Sequence, residues 1–386
     1  VDYPAVWAMK RDALSAAFAD FSAAEHALRQ EFEGFKQTGQ VAANAAADFH
    51  IWLQWIAERQ FAAAADRARA AGLELGIYRD LALGAARDSG EVQASPDHYA
   101  AGVSLGAPPD PFARDGQVWQ LAPFEPHALA DAGFDPFIAI LRANLRHAGL
   151  LRIDHILGYM RQFWVPDGAA GKDGAYVTFP LEELIAVTAI ESHRARCTII
   201  GEDLGTVPPG LRERLAHANI LSYRVLWWER DGDSFLPPEN YPPLSVSCLS
   251  SHDLPTFTGW RQRRDIEIRR EVGQLDDASA AASKAARSKE EAALREALAR
   301  QDISAGDSDA ELLTAAHELL AETRSALVLV QADDLLAETE PLNVPGTDRE
   351  RPNWRRRLSA PVCELASRPL AKQVAAAVKR GRNDGN

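Results

Sequence analysis

Apolar and polar positions change their period several times along this chain, and the changes recur in the same order. Residues 3–72 are Ala-rich with helical spacing, clearest from Phe49 through Ile51, Trp52, Trp55 and Ile56 to Phe61. The period breaks at Gly72, and residues 75–80 form a short apolar run ending in charge, which predicts a strand. The order returns when helical residues 137–145 lead through Gly149 into 150–155, and again when 181–196 lead into 197–203. Further strands are predicted at 222–227, 244–250 and 326–331. Strands that alternate with helices and end in polar residues predict a parallel sheet, and most economically an α/β fold of the TIM-type (β/α)8 kind. Six strands fall short of the eight that a closed barrel needs. The expectation is therefore a barrel that lacks its N-terminal strands in this chain.

Between these elements two stretches break the rhythm. Residues 265–324 consist almost wholly of Ala, Leu, Glu, Lys and Arg, strong helix formers, and read as a helical insertion. Residues 102–126 are rich in Gly and Pro and longer than usual connections, so they read as a loop that carries binding groups. The organisation expected is a barrel part over 1–264 that includes the 102–126 loop, a helical insertion over 265–325, and a last strand, a loop and a C-terminal helix over 326–386.

Composition narrows the function classes. A chain of 386 residues, 46% hydrophobic and 25% charged, is that of a folded globular protein. Its net charge of −13 repels phosphate backbones and anionic lipid, so neither nucleic acid nor membrane is an expected partner. With no charged-then-apolar leader at Val1 and no bilayer-length apolar run, the expected location is the cytoplasm. Cys197, Cys248 and Cys363 lie far apart and imply no disulfide framework. No Gly-rich phosphate loop, metal-spaced Cys/His cluster or nucleophile elbow is present, so neither cofactor nor metal is expected.

The candidate chemistry gathers at strand ends, where a parallel barrel builds its active site. Asp154, Glu202 and Asp253 stand there. Arg152 precedes Asp154 by two positions and shares its face, where a guanidinium favours the ionised form a nucleophile needs. Glu202 follows the apolar run Thr198-Ile199-Ile200-Gly201, and partial burial favours the protonated form a general acid needs. His252 beside Asp253 gives an imidazole and a carboxylate able to grip sugar hydroxyls. Each has a plainer reading: Glu202 or Asp203 as negative charge near a helix beginning at 208–210, Asp253 as the N-cap of 254–260, Asp154 with Arg152 as a structural ion pair. Trp119, Trp164, Trp227, Trp228 and Trp260 are candidate sugar platforms, of which Trp119 stands out because it lies in the long loop. His50, His147 and His193 read as structural or solvent-facing.

The runs Leu151-Arg152-Ile153-Asp154-His155-Ile156-Leu157-Gly158, Gly201-Glu202-Asp203-Leu204-Gly205-Thr206-Val207 and Ser251-His252-Asp253-Leu254-Pro255-Thr256 together resemble the amylomaltase family of 4-α-glucanotransferases. The resemblance covers nearly the whole chain, from Gln54-Trp55 and Tyr78-Arg79-Asp80 to Asn343-Val344-Pro345-Gly346-Thr347 and Pro352-Asn353-Trp354-Arg355. It implies a retaining mechanism on maltooligosaccharides and other α-1,4-glucans, with Asp154 as nucleophile, Glu202 as general acid/base and Asp253 as transition-state stabiliser. It further implies that Arg152 and His252 flank these carboxylates and that Asp80, Asp110, Gln117, Trp119 and Asn343 contact sugar. Two departures stand out. Gln120 occupies a position where the family commonly has Gly, and family members begin with sequence, including the first barrel strands, that precedes Val1 here. The retaining geometry asks for the two catalytic carboxyl groups roughly 5 to 5.5 Å apart. The competing readings are a glucan-binding fragment without turnover, and a metal-dependent barrel hydrolase using the His and carboxylate residues of the same runs.

Overall fold

A computed structural model describes residues 1–23, 28–37, 47–109, 113, 115–347 and 349–384. The chain divides into two compact units, residues 1–107 with 118–199, and residues 108–117 with 200–386.

In the first unit the Ala-rich start forms three helices, Tyr3–Ala23, Arg29–Gln37 and Ala47–Ala70. Trp52 and Trp55, three positions apart and hence on one helical face, bury themselves with Phe21, Phe32 and Ile51. The ring edges and faces of this cluster meet at 5.4–6.0 Å between centroids, the range in which aromatic quadrupoles attract. The strand Ile77–Leu81 pairs in parallel with Ala148–Ile153, so that Asp80 lies opposite Arg152. Register shifts by one residue at Gly149, where a Cβ would stand 1.6 Å from the Leu75 carbonyl oxygen. Only glycine permits that bulge.

One expectation is corrected here. The Gly- and Pro-rich stretch 102–126 is not a bare loop: Val103–Ala107 is a strand, paired antiparallel with Arg161–Pro166, which pairs in turn with Ala175–Thr178. Five residues between Gly102 and Pro108 leave too short an alternation to be seen beneath the turn residues around them. The Trp119 backbone N–H donates to the Leu105 carbonyl, tying the following segment to this small sheet.

In the second unit the strands Leu221–Val225, Ser245–Cys248 and Leu327–Leu329 pair in parallel, and the end of Thr198–Gly201 pairs with the first of them. All six expected parallel strands therefore form, five of them shorter than the apolar run that predicted them and Ala148–Ile153 shifted by two residues at equal length. The Ser245–Cys248 strand is buried at every position, as a parallel strand covered on both faces must be. The expected helical stretch is helical: Arg264–Glu271, Asp277–Arg300 and Asp309–Glu322. The last begins at a Ser308/Glu311 capping box and buries Leu312, Leu313, Ala316, Leu319 and Leu320, the one-sided stripe of an amphipathic helix. That stripe packs with Phe257, Trp260, Leu294 and Leu298 into one core. No described helix is long and apolar enough to cross a membrane.

Candidate active site

Asp154 directly follows the last residue of the Ala148–Ile153 strand, and its backbone N–H donates to the Leu81 carbonyl, extending the pairing past the strand end. Arg152, two residues earlier, is buried and turns one terminal nitrogen to two carboxylates at once. Nη1 donates to Asp154 Oδ1 at 2.7 Å and to Asp80 Oδ1 and Oδ2 at 2.8 and 3.0 Å. A buried guanidinium without acids would be costly, so this trio is mutually required. It also leaves the Asp154 side chain 37% exposed, fixed at its base and open at its tip.

His155 comes next, in the left-handed backbone region at φ 47°, and its ring meets Trp119 edge-on at 5.7 Å. Burial pushes the imidazole below its usual range, the Arg152 cation adding to the effect and Asp154 opposing it. A neutral imidazole therefore sits beside the carboxylate. Trp119 is half-buried rather than fully presented, so the loop tryptophan is braced by the residue that follows Asp154. From the sequence His155 was a candidate only as a ligand in the metal-dependent alternative, not as a sugar-site residue.

In the second unit Glu202 follows Gly201 at the end of its strand, is largely buried, and accepts the Leu204 N–H at 3.0 Å. Its neighbour Asp203 has a different life. It is wholly buried and accepts from Arg212 Nε, Ser222 Oγ and the Tyr223 N–H at 2.8, 2.5 and 2.9 Å. Arg212 lies in the first turn of the helix Leu211–His217 and Tyr223 in the next strand, so the plainer, structural reading holds for Asp203.

Asp253 lies in the loop between Cys248 and Phe257. It is not a helix cap: the helix Phe257–Arg261 is capped by Thr256, whose Oγ1 accepts the Gly259 N–H. Its Oδ1 accepts from Asn343 Nδ2 at 2.7 Å and its Oδ2 lies 3.2 Å from His252 Nε2. The expected His252–Asp253 pair is thus joined by Asn343, which donates to Asp253, into one polar group. The loop is anchored from beneath by Asp334, buried, which accepts the Phe257 N–H at 2.7 Å. Gln117 begins the two-residue strand Gln117–Val118 and is half-buried. Asp110 lies outside the described residues.

The other sequence candidates separate cleanly. Trp227 and Trp260 stack on each other at 4.4 Å within the core. Trp164 donates to Gln162, and Trp228 is exposed. His147 bonds Glu58 at 2.8 Å, while His50 and His193 face solvent. Cys197 and Cys248 are buried free thiols and Cys363 is exposed. Among the described residues no three His, Cys, Asp or Glu side chains are grouped so as to hold a metal ion.

Comparison with known proteins identifies the family. The profile of the family described as 4-alpha-glucanotransferase matches residues 39–363. The 4-alpha-glucanotransferase of Haemophilus influenzae is 38% identical over 344 residues, 87% of this chain and 49% of that protein. That of Mycobacterium tuberculosis is 39% identical over 324 residues, 82% of this chain and 45% of that protein. The chain thus spans about half the length of the curated relatives it matches. The amylomaltase of Corynebacterium glutamicum superimposes with a TM-score of 0.82 at 31% identity, covering 96% of this chain and 57% of that one. An amylomaltase from Streptococcus agalactiae in complex with acarbose shares the fold, with a TM-score of 0.77 at 19% identity over 100% of this chain and 81% of that one. The fold class is therefore the α/β, TIM-barrel type expected, and the chain belongs to the 4-alpha-glucanotransferase family.

Proposed function

We propose that this chain transfers segments of α-1,4-glucan between maltooligosaccharides by a retaining double displacement. Glu202 donates its proton to the glycosidic oxygen while Asp154 attacks the anomeric carbon, and the leaving glucan departs with a free 4-hydroxyl. A β-linked glucosyl ester on Asp154 remains. The 4-hydroxyl of a second glucan, giving its proton to Glu202, then displaces the Asp154 carboxylate, and two inversions restore the α configuration. Asp253, held by His252 and Asn343, stabilises the positive charge that develops on the sugar ring. Arg152 and Asp80 fix the nucleophile, and Asp110, Gln117, Trp119 and Asn343 contact the bound glucan.

The observation that carries this reading is the Asp80–Arg152–Asp154 clamp, which holds one carboxylate oxygen of Asp154 at a strand end while its side chain remains open to solvent. An ion pair with a merely structural task has no need of an exposed partner. Transfer beats hydrolysis only where the acceptor is ordered better than water, and the Asn343 loop is assigned that task. Free thiols at Cys197 and Cys248 fit a reducing compartment such as the cytoplasm.

The test is incubation of the chain with maltotriose, following free glucose and longer maltooligosaccharides, beside Asp154→Asn and Glu202→Gln. Longer products that vanish in the first variant and fall by about 10²- to 10⁴-fold in the second support the assignment. Binding of maltotriose without any product in the unaltered chain would replace it with the glucan-binding reading, and activity lost to a chelator would revive the metal-dependent one.

A further inference from the structure

The side chain most out of keeping with its surroundings is Trp354. The residue is 46% exposed, yet its backbone sits at φ 61°, a region that costs any residue with a Cβ and is rarest for bulky ones. Strain of this kind persists only where neighbours over-determine it, and they do. The Trp354 N–H donates to the Leu342 carbonyl at 3.0 Å. Asn353 accepts the Val344 N–H at 3.1 Å and donates to the Thr347 carbonyl and hydroxyl at 3.0 and 2.9 Å. The left-handed turn thereby pins the indole to the segment that carries Asn343, and swings the ring to 5.3 Å from His252, the partner of Asp253.

An indole needing only burial would have been served by an ordinary backbone and a place in the core, as Trp260 is. Here the chain bears strain to keep a tryptophan 46% exposed beside the imidazole of His252, a group able to accept or donate hydrogen bonds. A flat apolar face next to convergent polar atoms is what a glucose ring requires, since its C–H face stacks while its hydroxyls bond. We propose that Trp354 is a stacking platform for a glucose ring of the acceptor glucan, and that Asn353 is the residue that positions it. The acceptor side follows from the shared segment: Asn343 and Trp354 are fastened together, and a platform rewards a sugar while offering nothing to water. This rests on the transferase reading above and deepens it.

The experiment compares the unaltered chain with Trp354→Ala and Trp354→Phe. Labelled maltose is the varied acceptor at fixed maltotriose, glucose release to water is followed in parallel, and thermal midpoints check folding. The expected result is an acceptor KM raised about tenfold and a transfer-to-hydrolysis ratio lowered to match in Trp354→Ala, with most of both regained by Trp354→Phe. A parallel fall in transfer and hydrolysis, or no change in either, overturns the proposal, because a ring that only braces His252 would not separate the two acceptors. If the unaltered chain makes no transfer product, the transferase reading fails by itself. The platform is then decided by the change in intrinsic fluorescence on adding maltotriose: a response present in the unaltered chain and lost in Trp354→Phe supports it, and an equal response in both refutes it.

Discussion

Replacing Asp334 by Asn is expected to change how the stability of this protein depends on pH. Asp334 is fully buried, accepts the Phe257 N–H through one carboxylate oxygen, and among the described residues its other oxygen meets no hydrogen-bond partner. Burial pushes its carboxyl up to about 7 from an ordinary 3.8, the Phe257 N–H opposing the shift. A folded-state value above the unfolded one means that the folded protein holds a proton which the unfolded chain has already released. The stability this contributes is complete below 3.8 and is lost as pH rises through 7. Between pH 5 and pH 8 that loss is about 3 kcal/mol. His317 works against it. Buried and bonded through Nδ1 to the Leu313 carbonyl, its imidazole is pushed down by burial to about 4. The unfolded chain therefore takes up a proton near 6.5 that the folded chain refuses, and stability falls by about 2 kcal/mol as pH drops from 8 to 5. In the unaltered protein the two groups nearly cancel over this range. Asp334→Asn removes one of them, so the variant should lose about 2 kcal/mol on going from pH 8 to pH 5 where the parent changes little. Urea denaturation followed by tryptophan fluorescence at pH 5, 6.5 and 8 measures it. An amide hydrogen buried without an acceptor shifts the variant's curve by a constant and leaves its slope untouched. Parallel curves for parent and variant would refute the reasoning.

Three further outcomes follow from single residues. Gly149→Ala should prevent folding of the first unit, since no side-chain rotation relieves a Cβ placed 1.6 Å from a backbone oxygen; soluble yield and far-UV circular dichroism report it. Gln120→Gly should stabilise by roughly 0.5–1 kcal/mol, read as a raised thermal midpoint, because Gln120 adopts φ 59° and glycine bears no Cβ penalty there. Asp203→Ala should cost about 3–5 kcal/mol by stranding Arg212, Ser222 and the Tyr223 N–H, read as a lowered midpoint of urea denaturation.

The sequence shows its parallel strands plainly, because a strand buried on both faces must be a continuous apolar run and the runs at 150–155, 197–203 and 244–250 have nothing else to be. It hides the antiparallel strand Val103–Ala107 because that strand is short, carries Ser104 and Gly106 at buried positions, and is flanked by turn residues. The acidic residues of the site are legible for a similar reason: charge at the end of an apolar run is conspicuous. Their partners are less so. Arg152 shares a face with Asp154 by simple alternation, but its second partner, Asp80, comes from another strand, and only pairing register brings it opposite. His155 and Trp354 owe their importance to positive φ values that no pattern in a string of non-glycine residues announces.

Neighbouring residues at one strand end show how the fold divides its work. Glu202 and Asp203 are adjacent, both acidic and both buried, and sequence alone gives each the same claim to chemistry. The difference lies in what surrounds them. Asp203 meets a guanidinium, a hydroxyl and a backbone N–H, so its two oxygens are spent on holding a helix and a strand in place. Glu202 takes one backbone N–H through Oε1. The contacts of Asp203 build the scaffold, whereas in the mechanism proposed above Glu202 is the carboxyl whose proton moves. Placing Asp203 next to Glu202 lets the contacts of one carboxylate help set the backbone position of the other. The same division recurs at Asp154, fixed through Arg152 on one oxygen, and at Asp253, fixed through Asn343 on one oxygen with a titratable imidazole at the other.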